Sequence, residues 1–390
     1  MRLRSIETIP VRLPRDLDAA RGTAGTPTRT LGEGLYRWSK DYPVLYATHI
    51  ETALIKVTTD DGSVGWGEAQ APLAPEVACT IVDLLLAPVL AGQEFNGSRE
   101  EIEALWLRMY STMRVRGQTG GFMLDAISGV DLALWDLAGK MRGKPVAQLL
   151  SYSPKVRVPA YLSGLAGATM EERIDFAAHH HALGFRHFKI YLESDWDALM
   201  LLIDGLRARL GDVEVAVDAL WHMDPATVAR QAQQLDARRA MWLECPLMPE
   251  ETEAHIALAR GMRTPLALGE SYRTRFELAP LLQARAIGVV QPDLGRSGLT
   301  EAMRIARLAP KAVPHLSIAM GPQVAAAVHF AAAADNCDLC EYNPTVLDTA
   351  NRFLKEPLRM EGAAWVTPAA PGLGVEVDED LLKRNTSGIR

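Results

Sequence analysis

The chain has 390 residues, of which 48% are hydrophobic and 23% are charged, as in ordinary globular proteins. Its formal net charge of −7 is mild and provides no basic surface of the kind that binds nucleic acid. No segment has the ~18 consecutive apolar residues of a membrane span. The four cysteines are too few for a disulfide scaffold in a chain of this size. We therefore expect a cytoplasmic protein without nucleic-acid or membrane partners.

The first third of the sequence changes from strand-like to helical patterns. The opening stretch MRLRSIETIPVRL alternates apolar and polar residues, as an edge strand does. Residues 15–45 show no periodicity and are rich in Gly, Thr, Arg and Tyr, which predicts a long loop, a feature that is usually functional or disordered. A β-hairpin with Asp61-Gly62 as its turn is predicted next, and helical periodicity runs from about Glu76 to Leu150. Strands followed by helices indicate a separate α+β domain.

From Val156 onward, short apolar strands alternate with amphipathic helical runs. The eight strand candidates are VRVPAYL, HFKIYL, VEVAVDAL, MWLECPL, PLALGE, IGVVQPD, AVPHLS and LCEYN. Such alternation predicts parallel strands joined by crossover helices. Eight strands favour an α/β fold of the TIM-like (β/α)₈ barrel type over an open doubly wound sheet, which remains the alternative.

The predicted fold therefore has three parts. We assign residues 1–130 to the N-terminal α+β domain and residues 131–358 to the barrel. Residues 359–390 form a turn-rich return segment, which we expect to pack on the N-terminal domain.

Three acidic residues end three successive predicted strands. Twenty-six residues separate Asp218 from Glu244, and again Glu244 from Glu270, so each acid occupies the same place in its βα unit. The strand ends of a barrel lie side by side at its C-terminal face, where active sites form. Carboxylates that converge there repel one another unless a positive charge lies between them, and oxygen ligands suit magnesium. The alternative, in which each acid caps a helix or pairs with an arginine, is much weaker for three acids in register.

The remaining predicted strands also end in polar residues. Lys189 and Tyr191 lie two residues apart, so both face the same side of their strand. Asp293 and His315 end neighbouring strands, and an acid beside an imidazole orients it and raises its basicity. Glu341 ends the eighth strand. This face of the barrel therefore carries candidate catalytic groups as well as candidate metal ligands.

These motifs resemble the enolase superfamily, specifically its mandelate racemase and muconate lactonising enzyme group. The resemblance covers nearly the whole chain. It rests on the helical segment AISGVDLALWDLAGKMRGKPVAQLL and on the strand-end motifs GFRHFKIY, VDALW, LECPL, LGES, QPDLGRSGLTE, VPHLS and CEYN, in that order.

The resemblance implies a cofactor and a type of chemistry. Magnesium would be held by Asp218, Glu244 and Glu270 and would bind the carboxylate of a small-molecule substrate. The metal would stabilise the enolate formed when a base removes the proton α to that carboxylate.

The resemblance also implies roles for the other strand-end residues. Lys189 would neutralise charge at the carboxylate, Asp293 and His315 would form a general acid/base dyad, and a protonated Glu341 would hydrogen-bond the opposite carboxylate oxygen, which requires a raised pKa. The N-terminal domain would cap the barrel and contact the substrate through residues 15–45 and the segment GEAQAP.

Two departures from the family pattern bear on the reaction. Tyr191 stands where the family often has a second lysine, and Leu220 stands where it often has asparagine. Tyrosine is a poor base at neutral pH, so elimination catalysed by His315 alone is favoured over two-base racemisation. We therefore predict dehydration of an acid sugar, an aldonate or aldarate, by a homo-oligomeric lyase. The alternatives are a racemase, epimerase or cycloisomerase on the same site and, more distantly, a non-catalytic barrel.

Overall fold

The computed structural model describes residues 1–14, 27–31, 34–39, 44–192 and 195–386. The strands in these residues are β1 (Leu3–Pro14), β2 (Pro27–Leu31), β3 (Tyr36–Ser39), β4 (Leu45–Ala47), β5 (His49–Thr59), β6 (Val64–Ala69), β7 (Arg157–Ser163), β8 (His187–Tyr191), β9 (Glu214–Asp218), β10 (Leu243–Glu244), β11 (Leu266–Leu268), β12 (Val289–Val290), β13 (Lys311–Ala312), β14 (Cys340–Tyr342), β15 (Met360–Glu361) and β16 (Ala364–Val366). The helices are α1 (Pro75–Ile81), α2 (Ala87–Leu90), α3 (Arg99–Arg114), α4 (Gly121–Arg142), α5 (Val146–Leu150), α6 (Met170–Ala182), α7 (Trp196–Leu210), α8 (Val228–Ala237), α9 (Thr252–Gly261), α10 (Arg275–Gln283), α11 (Leu294–Ala306), α12 (Pro322–Ala333), α13 (Pro344–Asn351) and α14 (Glu379–Thr386), with a π-helical turn (Val82–Leu86) between α1 and α2.

The N-terminal domain is built on an antiparallel sheet in the order β1–β5–β6. The hairpin predicted at Asp61-Gly62 joins β5 to β6. Gly62 adopts φ 87°, a value that glycine reaches without steric cost, and the Asp61 carboxylate accepts hydrogen bonds from Ser63 and Thr59. The predicted hairpin and edge strand are therefore confirmed.

Part of the segment predicted as a loop, residues 15–45, forms regular structure. β2, β3 and β4 make a small antiparallel sheet, while residues 15–26, 32–33 and 40–43 lie outside the described residues. The Tyr36 hydroxyl accepts the Ala74 N–H at 3.1 Å and lies 3.4 Å from the Glu51 carboxylate. These strands have only 5, 4 and 3 residues, too few to show a periodic pattern in the sequence.

Helix α4 joins the N-terminal domain to the barrel. It crosses the predicted domain boundary at residues 130 and 131 without interruption, so a division there would cut a helix. On one side β6 lies unusually close to α4, since a Cβ atom added at Gly67 would come within 2.0 Å of the Gly129 carbonyl oxygen. On the other side the Asp131 carboxylate accepts hydrogen bonds from the Thr300 hydroxyl and backbone N–H of α11.

The second domain is the predicted (β/α)₈ barrel. Each of the eight segments predicted as strands overlaps one described strand, and seven of these are hydrogen-bonded in the parallel order β13–β12–β11–β10–β9–β8–β7. β14 closes the barrel by pairing in parallel with β7. The lower interior of the barrel is filled by one apolar cluster, comprising Tyr161, Ala216, Trp242, Ala267, Val289, Val313 and Leu339.

The C-terminal segment serves both domains. β16 pairs antiparallel with the first half of β7 and so extends the barrel sheet. Leu382 of α14 instead packs with Val11 and Leu13 of β1, and Lys56 of β5 binds Glu379 at 2.8 Å. Within the C-terminal segment, α14 therefore packs on the N-terminal domain as predicted, whereas β15 and β16 extend the barrel sheet. None of the described helices combines the length and apolar character needed to cross a membrane.

His329 of α12 makes the stability of the fold sensitive to acid. The imidazole is fully buried; its Nδ1 accepts the Ala147 N–H at 3.2 Å and its Nε2 lies 3.0 Å from the Leu373 carbonyl. Burial lowers its pKa to about 4, against ~6.5 in an unfolded chain. The unfolded state therefore binds more protons between these values, and the free energy of unfolding should fall by about 3 kcal/mol from pH 7 to pH 4.

Urea denaturation at several pH values tests this prediction. A His329→Asn variant should be less stable at neutral pH but should lose less further stability on acidification. His179→Asn, at an exposed position on α6, is the matched control and should keep the parent's pH dependence. Parallel profiles for the parent and the His329→Asn variant would contradict the assignment.

Candidate active site at the C-terminal end of the barrel

Two of the predicted metal ligands face the inside of the barrel, because successive side chains of a strand point alternately to the inside and the outside of the barrel wall. Ala216 of β9 and Trp242 of β10 belong to the interior cluster. Asp218 and Glu244 lie two residues further along the same strands, so they share that face at the C-terminal end. The register pairs Tyr191 with Asp218 and Asp218 with Glu244 across three adjacent strands. The structure therefore places the first two acids side by side.

Lys189 of β8 lies among three carboxylates. Its Nζ atom is 2.7 Å from Glu244, 3.0 Å from Glu341 and 3.5 Å from Asp218, and the side chain is fully buried. Burial by itself lowers the pKa of Lys189, but the neighbouring carboxylates, chiefly Glu244 and Glu341, raise it well above its ordinary value. The side chain is therefore an ammonium ion that offsets the negative charge of the cluster.

Glu244 is held by two further side chains that the sequence reasoning did not identify. Its second carboxylate oxygen accepts hydrogen bonds from Trp242 Nε1 at 3.0 Å and Gln291 Nε2 at 2.8 Å. Both donors are buried, so the orientation of the carboxylate is set on both of its oxygens. Trp242 could have been found from its position two residues before Glu244 on the same face of β10. Gln291 directly follows β12, and only the assembled barrel brings it near.

The donor set fits a divalent cation. One ligand atom from each of Glu244, Glu270 and His315 lies within 4.8 Å of the other two. Asp218, the remaining predicted ligand, is not a member of this group of three, and its carboxylate lies 3.5 Å from Lys189 Nζ. Burial raises the pKa of Asp218 well above its ordinary value, and the negative charges of Glu244 and Glu270 add to the effect. Carboxylates that repel in this way favour a bound cation, and their oxygens suit magnesium.

The imidazole of His315 lies between two carboxylates. Its Nε2 atom is 2.9 Å from Glu270 Oε2 and its Nδ1 atom is 3.3 Å from Glu341 Oε2. Burial lowers the pKa of His315, but Glu270 and Glu341 outweigh this effect and raise it. The same contacts act in reverse on Glu270: burial raises its pKa, and His315 lowers it below its ordinary value. The structure thus brings His315 into the group of candidate metal ligands.

Asp293 is adjacent to His315 through the backbone rather than through its side chain. The two residues form a parallel bridge at the ends of β12 and β13. The carboxylate of Asp293 instead accepts hydrogen bonds from Ser317 Oγ at 2.6 Å and Gln323 Nε2 at 2.9 Å. A dyad would join the two side chains by a hydrogen bond. Among the described residues, the Asp293 and His315 side chains make no such bond. Each side chain is instead engaged by other partners.

Glu341 differs from the expectation of a protonated acid. Burial raises its pKa, but the nearby Lys189 and His315 charges outweigh burial and lower it. One carboxylate oxygen also accepts the backbone N–H of Leu316 at 2.8 Å. Glu341 is therefore a carboxylate in this arrangement, because two cationic side chains contact it directly.

Tyr191 is oriented by the first barrel strand. Its hydroxyl lies 2.8 Å from Ser163 Oγ, and its ring lies 5.7 Å from Lys189 Nζ. Burial raises the pKa of Tyr191 far above its ordinary value, an effect that Lys189 only partly offsets. The phenol therefore stays protonated, and it can donate a hydrogen bond but is a poor base. Ser163, which ends β7, was not identified from the sequence.

The βα loop after Asp218 adopts unusual backbone conformations. Leu220 and Trp221 have φ values of 51° and 60°, in the left-handed region that costs a non-glycine residue of order 1–3 kcal/mol. The Leu220 N–H donates to the Asp218 carboxylate at 3.0 Å, and the Trp221 N–H donates to the Cys245 carbonyl at 2.7 Å. These bonds hold the strained loop against the cluster. Asparagine, the family's frequent residue in place of Leu220, tolerates this region better.

The architecture and the site together define a (β/α)₈ barrel protein with an N-terminal α+β domain and an acidic cluster at the C-terminal face. The N-terminal-domain model of the mandelate racemase / muconate lactonizing enzyme family matches residues 41–151, and the enolase C-terminal domain-like model matches residues 172–381. The chain belongs to the enolase superfamily of enzymes, in its mandelate racemase and muconate lactonising enzyme group.

The relatives of this chain differ from one another in the activity that their names give. The chain is 32% identical to the D-galactarolactone cycloisomerase of Agrobacterium fabrum, over 84% of this chain and 89% of the relative. It is 31% identical to the D-galactonate dehydratase of Ralstonia nicotianae, with the same coverage. Among solved structures, an enolase superfamily member from Agrobacterium tumefaciens superimposes with a TM-score of 0.91 at 28% identity, covering 98% of each chain. The family is therefore clear, whereas the relatives do not agree on one reaction.

Proposed function

We propose that this protein is a magnesium-dependent lyase that dehydrates an acid sugar, an aldonate or aldarate, to a 2-keto-3-deoxy acid. The observation that carries the proposal is the arrangement around Lys189, where one ammonium group and one imidazole lie among four carboxylates within a single, largely buried cluster. Such a cluster suits a substrate that brings its own carboxylate and develops further negative charge during the reaction.

A metal at this site would be held by Asp218, Glu244 and Glu270. When bound, the divalent cation supplies positive charge at the substrate carboxylate, where negative charge grows as the α-proton leaves. Lys189 adds a second positive charge beside the same cluster. Trp242 and Gln291 hold Glu244 in place, so the charges need little reorganisation during the reaction.

The proton transfers are assigned to His315. Glu270 and Glu341 favour the imidazolium form of His315, so the role requires that a bound cation offset their negative charge and leave the imidazole neutral. The neutral imidazole takes the proton from the carbon α to the carboxylate, and the electron pair of that bond moves into the carboxylate as an enolate. The hydroxyl on the β-carbon then departs, and the imidazolium returns the proton to it, releasing water. The resulting enol becomes the 2-keto-3-deoxy acid. One residue therefore serves both steps on one face of the substrate.

Dehydration is preferred to racemisation because Tyr191, the candidate base for the opposite face among the described residues, is a poor one. A two-base racemase needs a second proton acceptor, and the high pKa of the buried Tyr191 hydroxyl makes it unsuitable. The dehydratase relatives support elimination. The cycloisomerase relative favours a second candidate, in which the same proton transfers open or rearrange a sugar lactone.

An assay in D₂O with a panel of aldonates, aldarates and their lactones tests the proposal. With Mg²⁺ present, we expect at least one open-chain acid to yield a 2-keto-3-deoxy product, and we expect no product with a chelator. NMR distinguishes the alternatives, since epimerisation incorporates α-deuterium without loss of water, and cycloisomerisation consumes only a lactone. If no acid in the panel reacts or exchanges its α-proton, the proposed function is wrong.

A further inference from the structure

The segment Gly67–Gln70 at the end of β6 contacts two barrel loops at once. It belongs to the N-terminal domain, yet Glu68 is fully buried and its carboxylate accepts the backbone N–H groups of Met320 at 2.6 Å and Gln323 at 3.2 Å. Two residues later, the Gln70 N–H donates to the Gly295 carbonyl at 2.8 Å. These contacts reach the start of α11 and the start of α12, in the segments that follow β12 and β13 and that include Asp293 and His315.

Glu68 provides the cap that α12 cannot provide for itself. The residue before the helix is Gly321, which has no side chain to accept a hydrogen bond, and the first helical residue is Pro322, which has no N–H. The Gln323 N–H is therefore the first free donor of the helix, and Glu68 accepts it from the other domain. A carboxylate at this position is also favoured by the helix dipole.

Gln323 connects this cap to the candidate acid/base pair. Its side-chain Nε2 donates to Asp293 Oδ1 at 2.9 Å, and the same oxygen accepts the Gly295 N–H at 2.8 Å. Asp293 and Gln323 are both buried, so these contacts are shielded from water. An unbroken series of hydrogen bonds thus runs from Glu68 through Gln323 to Asp293, which is bridged through the backbone to His315.

We propose that Glu68 and Gln323 are positioning residues through which the N-terminal domain holds Asp293, and with it the backbone of His315, in the geometry that catalysis requires. The inference rests on the proposed function, because it assigns a purpose to the placement of His315. It adds a role for the domain interface that does not depend on contact with the substrate.

The test compares Glu68→Gln and Gln323→Met with a matched control. A glutamine at position 68 offers one acceptor oxygen where the carboxylate offers two, so the N–H of Met320 or of Gln323 loses its partner. Thr52→Val is the control, since the Thr52 hydroxyl donates to the same carboxylate at 2.8 Å from within the N-terminal sheet and its other hydrogen bond goes to the Ala69 carbonyl rather than to α12. Kinetic constants, melting temperatures and crystal structures are measured for all three variants and the parent.

Glu68→Gln and Gln323→Met should lower kcat by about 10- to 100-fold, the effect of a displacement of roughly 1 Å in the catalytic geometry, with KM little changed. Thr52→Val should lower the melting temperature but keep the parent's kcat. Equal losses of kcat in Thr52→Val and Glu68→Gln would show that Glu68 acts only through stability and would overturn the proposal, as would an unchanged kcat in Glu68→Gln.

The crystal structures separate failure of this inference from failure of the proposed function. If the parent turns over no acid sugar, the position of Asp293 still decides the matter. We expect its carboxylate to keep the Gln323 and Ser317 contacts in the Thr52→Val variant and to move away from one of them in the Glu68→Gln variant. An Asp293 carboxylate that stays in place in Glu68→Gln overturns the inference whatever the reaction.

Discussion

Replacing Glu244 with glutamine should abolish turnover and weaken Mg²⁺ binding by about 10- to 100-fold or more, the scale of effect seen even for groups that only support a ligand. The charged ligand becomes neutral, and the substitution also disturbs the hydrogen bonds that surround this side chain. Lys189 contacts one carboxylate oxygen, and Trp242 and Gln291 donate to the other. The new amide NH₂ group must therefore face a donor, which costs of order 1–3 kcal/mol. The fold should survive with a melting temperature a few degrees lower.

Calorimetric titration with Mg²⁺, together with thermal unfolding in the presence and absence of the ion, measures binding without relying on activity. Glu250→Gln is the matched control, because Glu250 is an exposed acid of the same βα loop, and it should behave like the parent. Full activity of the parent protein in the presence of a chelator would refute the metal assignment.

Replacing His315 with asparagine should eliminate both α-proton exchange and product formation, whereas replacing Tyr191 with phenylalanine should leave measurable turnover. General acid/base groups contribute about 10²- to 10⁴-fold, and His315 is assigned both transfers, so its loss should fall at the upper end. The Tyr191 hydroxyl contacts Ser163, and its raised pKa makes it an orienting donor rather than a base. We therefore expect its removal to cost on the order of 10-fold or less, comparable to one hydrogen bond of about 1 kcal/mol.

Both variants are close in shape to the parent, so their melting temperatures serve as the control for folding. NMR in D₂O records exchange and product formation in the same sample. The opposite outcome, in which Tyr191→Phe is inactive and His315→Asn still exchanges the α-proton, would make the tyrosine the base and reverse the assigned faces.

The positions of the acids along the chain could be predicted because barrel topology alone determines them. A constant interval of 26 residues places Asp218 and Glu244 in adjacent register, and alternation along each strand decides which face they occupy. Neither step requires knowledge of side-chain conformation. Lys189 and Glu341 lie within their strands rather than at the ends, and their side chains contact each other in the same cluster.

The hydrogen-bond and ion-pair partners of these side chains could not be predicted in the same way, because each side chain has several neighbours within reach and the sequence does not show which one it contacts. Asp293 and His315 are adjacent as predicted, but Ser317 and Gln323 occupy the carboxylate while Glu270 approaches the imidazole. The charge state of a buried acid is equally dependent on its neighbours. Burial by itself raises the pKa of Glu341, and only the assembled contacts with two cations reverse the direction of the shift.

The course of α4 limits how proteins of this architecture can diverge. One helix carries the close glycine contacts with the N-terminal sheet and the buried hydrogen bonds to α11. A crossover between two genes at the codons for residues 121–142 would join halves of two different helices. Each half would then meet a β6 or an α11 to which its side chains are not fitted. Exchange of complete N-terminal domains should therefore seldom yield a stable chimera. New specificities in such chains should arise instead through point substitutions and changes in the loops that follow the barrel strands.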